Sequence, residues 1–482
     1  MRDQSPQPSS FVFPVALQPV EWTEEAPQTK GESWGWLEVF VLVQVLWGVL
    51  LFVPGSQAYR AYIRGFPYVV SLVAFLACLR SGATRSLGPG ARLVVCSIVI
   101  LMAGLVHPGS WLNSGAAQVA FQLSIAAPIF WAVAIWTPKQ RLERLMGLVF
   151  VANFLSAGVG LLQVYYPETF SPPEFSSLGL RLNPGLIEQL TYRGSGDRLI
   201  LRPPGLTDLP GGAAISGVIA ALLGFAFAMR GNSRMLVKTC YLGTVLISIT
   251  VVYLTQVRSV LLMLVVCMQA LALVSLRQGR MIKGGWTAAL GAGLIVGSFI
   301  WAVTLGGDAL TERFQGMVDE GVVRTYQEHR GSFLFYTLHE LVPLYPFGAG
   351  IGRWGMMSVY FGDLSNWRFP PLHAEIQVTG WLYDGGVLLV LVYGGAIVAA
   401  LRNSYRVAIS SHNPIHECGG MVFSVQVLIA GLCFTGPTFN NQLGILFWLL
   451  TAILFASQRT LYVQEEYAAS LEIGDGERAE GQ

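Results

Sequence analysis

Residues 285–305 read GWTAALGAGLIVGSFIWAVTL, a run without a single charged side chain. A helix rises about 1.5 Å per residue, so a run of roughly 20 residues covers the ~30 Å hydrocarbon layer of a bilayer. Its glycines and alanines suit close approach of helix backbones in lipid, where apolar surface gives no push between helices. Comparable apolar stretches occur at about 35–53, 66–80, 91–107, 117–136, 145–164, 211–229, 237–255, 259–276, 378–400, 420–436 and 441–458. None alternates in the short pattern of a membrane β-barrel. The sequence predicts an all-α polytopic membrane protein with about 12 transmembrane helices.

Composition agrees. Of 482 residues, 53% are hydrophobic and 12% charged, against about 25% charged in a soluble domain. That leaves too little polar surface to cover a particle of this size in water. The net charge of +2 identifies no partner, and without a basic tract nucleic acid is not expected. The six cysteines form no CxxC pair and show no metal-ligand spacing, so neither a disulfide framework nor a metal site is expected.

Loop charge orients the chain. Basic residues follow every second span: Arg80, Arg85 and Arg92; Lys139, Arg141 and Arg144; Arg230, Arg234 and Lys238; Arg277, Arg280 and Lys283; Arg402 and Arg406. Arg60 and Arg64, in the first external loop, are the exception. The positive-inside rule makes the basic loops and both termini cytoplasmic. Residues 1–34 then form a polar cytoplasmic tail, since they lack the basic start and short apolar run of a signal peptide. Residues 35–458 form the transmembrane domain, with long external loops at 165–210 and 306–377. Both loops contain aromatic residues and proline and are expected to be ordered. Residues 459–482, acidic and glycine-containing, form a second cytoplasmic tail expected to be disordered.

The chemistry concentrates in those loops. Arg202 lies in LRPPGLTDLPGGAA (residues 201–214), before the sixth span. It is either a cation held at the membrane edge by a Pro-Pro turn, facing an anion with a glycine-rich helix start beside it, or an interfacial arginine snorkelling to water. Arg258, in TQVRSV, occupies a hairpin with almost no loop; a charge so near hydrocarbon tends to mark function, with a snorkelling anchor as the alternative. The third region runs RGSFLFYTLHELVPLYPFGAGIGRWG (330–355) and then RFPPLHAEIQVTGWLYDGG (368–386). No strand precedes the GAGIG element, so it is a close-approach turn whose amides line a site, or a plain loop, and not a dinucleotide fingerprint. If 373–384 begins a helix, His373, Gln377 and Asp384 share one side. His373 is the candidate base, His329 and His339 its rivals, and Arg330 a further cation; a structural interfacial histidine is the alternative. Guanidinium groups grip phosphate in a fork, which with one imidazole suits transfer of a sugar chain from a lipid diphosphate.

The order of these elements resembles the O-antigen polymerase and ligase family of bacterial surface-polysaccharide enzymes. The matching features are the Arg–x–x–Gly segment at Arg202, the hairpin arginine Arg258, and Arg330 at the start of a loop helix. Pro346 to Gly352 matches Pro–x–Gly–x–Gly–x–Gly, followed by His373 and Gly385–Gly386. Here Pro210-Gly211 stands where the family has Pro-Asn, and Gln-Val-Arg where it has Ser-Arg. The resemblance implies a glycosyltransferase C-like fold in the bacterial inner membrane. It implies a metal-independent and cofactor-free polymerase of lipid-linked repeat units, taking glycan from undecaprenyl diphosphate to a sugar hydroxyl. By that resemblance Arg202, Arg258 and Arg330 hold the diphosphate and His373 is catalytic; Asp384 is the expected orienting partner of His373. Partners would be the lipid-linked oligosaccharide, membrane lipids and other polysaccharide-assembly proteins. A ligase acting on lipid A core is the near alternative, and a precursor transporter or flippase the alternative from another class. A transporter should carry charges at mid-depth in several spans, and here the spans are nearly uncharged at their centres.

Overall fold

The structure, a computed structural model, describes residues 35–81, 87–172, 188, 190–207, 210–231, 234–319, 321, 324 and 326–480. The expected N-terminal tail (1–34) and much of the first long loop (173–187) lie outside these.

Long apolar segments become helices because a helix satisfies its own backbone groups where no water can. The described residues contain α1 (Trp36–Leu46), α2 (Arg60–Ser81), α3 (Ala91–Gly104), α4 (Leu112–Ala126), α5 (Lys139–Tyr165), α6 (Ala213–Ala228), α7 (Met235–Leu254), α8 (Arg258–Arg277), α9 (Met281–Asp319), α10 (Gln377–Ile409), α11 (His416–Leu432) and α12 (Gln442–Glu480). Eight helical segments are long and apolar enough to cross a membrane; Trp36–Phe52, Ala91–Gly104, Ala213–Ala228 and His416–Leu432 are shorter and apolar. The chain is therefore a helical membrane protein. Its departure from all-α is a two-stranded antiparallel ribbon, β1 (Thr191–Arg193) on β2 (Leu199–Leu201).

The expected basic loops meet at one end of the bundle. Arg141 forks onto Glu38 at 2.8 and 2.9 Å. Arg230 lies 3.2 Å from Glu417 and 3.7 Å from Glu143, and Arg280 lies 3.4 Å from the His416 ring. Inside the bundle polar groups bond helix to helix: Ser404 Oγ of α10 donates to Gln426 Oε1 of α11, whose Nε2 donates to Thr451 of α12. Such bonds hold helix register because an unpaired polar group in hydrocarbon is costly.

Three segments run differently from the sequence expectation. Helix α9 continues past residue 305 to Asp319, broken at Gly307 (φ 61°, ψ −155°), so the second long loop begins as helix. Helical turns also cover Gln327–Leu344 and Gly355–Phe361 of that loop. Helix α12 continues to Glu480, through the tail expected to be disordered; Ala, Leu and Glu there are good helix formers, and they outweigh the glycines.

The GAGIG turn proves to be a packing element. Gly348, Gly350 and Gly352 all have φ between 84° and 107°. A Cβ on Gly350 would lie 2.4 Å from the Gly109 carbonyl carbon, and one on Gly352 2.3 Å from the Gly115 amide nitrogen. Its other side fills the break in α10 at Gly385–Gly386, where the Ala349 amide donates to Tyr383 O and the Val387 amide to Pro346 O. The Ile351 amide donates to Ser110 Oγ. With the Ala349 and Ile351 amides used in packing, they do not line a site.

Candidate functional site

The ribbon delivers Arg202. The Arg202 amide extends the β pairing by donating to Leu190 O, and Tyr192 anchors β1 through its hydroxyl on Leu254 O, at the end of α7. Beyond Arg202, Pro203–Gly205 is clamped to α5: Gln163 Nε2 donates to Gly205 O and Gln163 Oε1 accepts from the Gly205 amide, at 2.9 and 2.8 Å. The Gly211, Ala213 and Ala214 amides bond Arg202 O, Pro203 O and Gly211 O. Those three donors at the start of α6 therefore serve the turn, not an anion. Gln163→Ala should leave both Gly205 backbone groups buried and unpaired, costing about 1–3 kcal/mol. A lowered Tm and increased proteolysis near residue 205 would record it.

Arg258 comes from the α7–α8 hairpin. It is the first residue of α8, where the helix dipole disfavours a cation by about 0.3–1 kcal/mol. The same helix end leaves backbone N–H groups unpaired, so an anion there gains from both. A third guanidinium joins them. The turn of the ribbon docks on the break in α9: a Cβ on Gly307 would lie 3.0 Å from the Ser195 amide, and one on Gly194 2.8 Å from Leu305 O. That dock carries the outer part of α9 over the hairpin. There Arg313 Nε donates to Gln256 O at 3.2 Å, and the charges of Arg202 and Arg258 both act on the Arg313 guanidinium. Phe314 locks the helix piece against Tyr253 and Phe299.

Arg202 and Arg258 thus both face Arg313, and the three make a cationic group centred on it. Burial pulls Arg202 below the ordinary arginine value, with Tyr192 opposing. No described carboxylate lies within ion-pair distance of the three, and the Nε atoms of Arg202 and Arg258 are buried without a described partner. Partly buried like charges without a counter-ion among the described residues favour an anionic guest, and a phosphoryl group matches the guanidinium fork.

A second group forms on the loop before α10. His373 Nε2 lies 2.8 Å from Glu375 Oε1, and Arg330 pairs with Glu375 Oε2. The His373 side chain is 77% exposed. An ionised carboxylate only accepts, so Glu375 takes the Nε2 proton as its hydrogen-bond donor, and in the neutral ring Nδ1 is then the acceptor. The segment carrying His373 is held by Arg353, which is 5% exposed and donates to Pro370 O from Nε and Nη2 and to Ala349 O from Nη1. This ties the glycine turn to the histidine.

Three expectations need correction. Residues 373–376 are not helical, because α10 starts at Gln377, so the helical phasing of His373 with Gln377 and Asp384 does not apply. Pro370 and Pro371 favour extended backbone there. Gln377 instead accepts from the Phe439 amide. Asp384 does not orient His373: it is 2% exposed and accepts from Gln118 Nε2 at 3.2 Å, beside Trp354 and the Gly352 amide. Of the rival histidines, His339 stacks on Phe335 at 3.9 Å and bonds its carbonyl; the side chain of His329 lies outside the described residues. Arg330 belongs with His373, not with Arg202 and Arg258.

The two groups share one end of the bundle, where the end of α11 packs against α8 and against the start of α10. A Cβ on Gly431 would meet Met263 of α8, while Cys433 O accepts the Gln377 amide and Phe434 O accepts Tyr326 Oη. No protein-family model matches this chain, and no curated protein proved similar to it. The residue geometry therefore carries the functional argument.

Sequence reasoning overlooked Glu375 and Arg313. Glu375 had a readable signal, since residues i and i+2 share a face of extended backbone. Arg313 had a weaker one, Gly306-Gly307 in front of it as a helix breaker.

Proposed function

We propose that the protein is a metal-independent glycosyltransferase with twelve spans and a glycosyltransferase C-like architecture, in the bacterial inner membrane with both termini cytoplasmic. It polymerises lipid-linked repeat units, as its resemblance to the O-antigen polymerase and ligase family implies. The supporting observation is three arginines with no carboxylate among the described residues at ion-pair distance, at the same end of the bundle as a histidine paired with Glu375. Arg202, Arg258 and Arg313 hold the diphosphate of the undecaprenyl-diphosphate-linked donor. His373 Nδ1 takes the proton of the acceptor hydroxyl, whose oxygen bonds to the anomeric carbon as the bond from that carbon to the diphosphate breaks. The departing diphosphate gains negative charge, so the arginines bind it more strongly in the transition state than in the ground state. Glu375 stabilises the imidazolium, and Arg330 fixes Glu375.

The test is purified protein with a lipid-linked repeat, read as chain lengthening on a gel. Wild type should lengthen the chain and Arg258→Ala and His373→Ala should not. Lengthening by both variants at the parental rate would refute the site. Transfer onto lipid A core alone would indicate a ligase, and movement of lipid across vesicles without sugar joining a transporter.

A further inference from the structure

The hairpin between α7 and α8 holds a group that the proposed reaction does not use. Gln256 has φ 56°, in the left-handed region that a residue with a Cβ enters at a cost. Glycine would fit that backbone without strain, and asparagine would enter it more readily than glutamine. The side chain is nevertheless glutamine, 3% exposed, and its Nε2 has no described hydrogen-bond partner. Buried carboxamides are normally bonded at both ends, so strain and an idle donor together need an explanation.

Location supplies one. Gln256 O accepts from Arg313 Nε, Arg258 is two residues along the chain, and Arg202 acts on the same Arg313 charge. Guanidinium groups only donate, so none of the three can satisfy the Gln256 NH2, which needs an acceptor. A second idle donor, Arg258 Nε, lies on the same hairpin.

We infer that Gln256 is a ligand-contacting residue of the arginine group: its Nε2 donates to a phosphoryl oxygen of the bound diphosphate, and the strained hairpin holds it there. This rests on the phosphoryl-binding reading of Arg202, Arg258 and Arg313. The donor is neutral, so it adds a hydrogen bond without adding to the repulsion among three cations.

Two variants separate this from a structural role. Gln256→Gly removes the carboxamide and relieves the backbone; Gln256→Glu keeps the shape, removes the donor and sets a carboxylate among the arginines. Full-length protein in detergent is titrated at fixed salt with inorganic pyrophosphate and with undecaprenyl diphosphate, and Tm is recorded without ligand. Gln256→Gly is expected to weaken both ligands about 10–100-fold with Tm unchanged or raised. Gln256→Glu is expected to weaken them about 100-fold or more while raising Tm, because the new carboxylate neutralises the cations. A buried water alone on Nε2 would give native binding in Gln256→Gly, and that result overturns the inference while leaving the arginine site standing. Failure of wild type to bind either ligand would remove the underlying reading, and the inference with it. Binding of the lipid diphosphate but not of pyrophosphate still supports the inference if both variants weaken it.

Discussion

Arg313→Ala is expected to slow sugar transfer about 10²–10³-fold and to leave the protein folded. Arg313 is the member of the cationic group that tertiary structure brings in, from beyond the break at Gly307, and its Nε already holds the hairpin carbonyl of Gln256. In the proposed reaction its loss removes charge from where negative charge develops on the leaving diphosphate. Phe314 still packs on Tyr253 and Phe299, so the outer helix piece keeps its seat. Tm should not fall by much, since losing one of three like charges relieves repulsion and offsets the lost hydrogen bond. Arg313→Lys should recover only part of the rate, because an ammonium is a point charge without the planar fork. Chain-length distributions and initial rates beside a thermal melt provide the check. An Arg313→Ala protein within about twofold of wild type would place the diphosphate elsewhere.

Glu375→Gln is expected to match removal of the base, about a 10²–10⁴-fold loss. What each neighbour can give decides the outcome. Arg330 only donates, so it takes the carboxamide oxygen, and the NH2 then faces His373 Nε2. That nitrogen must now accept, which moves the ring proton to Nδ1 and blocks the atom that would take the hydroxyl proton. Arg330→Ala in the same chain releases the carboxamide to turn its oxygen to His373. The double variant is therefore expected to be faster than Glu375→Gln alone. Losses that simply multiply would show that Glu375 acts on something other than the tautomer.

Both predictions depend on residues that the sequence places among many equals. Arg202 and Arg258 were legible because arginine beside a span, or in a hairpin without a loop, has few bland explanations in a chain that is 12% charged. His373 was legible as a histidine in a long external loop. Its partner was not, because reading 373–384 as helix pairs it with Asp384, whereas two prolines keep that stretch extended and pair it with Glu375. Asp384 went astray for the same reason, and its carboxylate belongs to Gln118, 266 positions away in the chain.

The amino-acid sequence by itself determined where the long apolar helices lie, because in lipid a long uncharged segment has one way to satisfy its backbone, and that constraint is local. It also determined which loops carry the charge, and so which end of the bundle the basic residues share. The tertiary structure alone decided which charges meet. The docking of the ribbon turn on the break at Gly307 collects Arg202, Arg258 and Arg313, and the glycine turn wedged into α10 lets Arg353 hold the His373 segment. Those encounters join residues far apart in the chain, and close backbone approach at particular glycines sets them, which no pattern of hydrophobicity or charge along the sequence encodes.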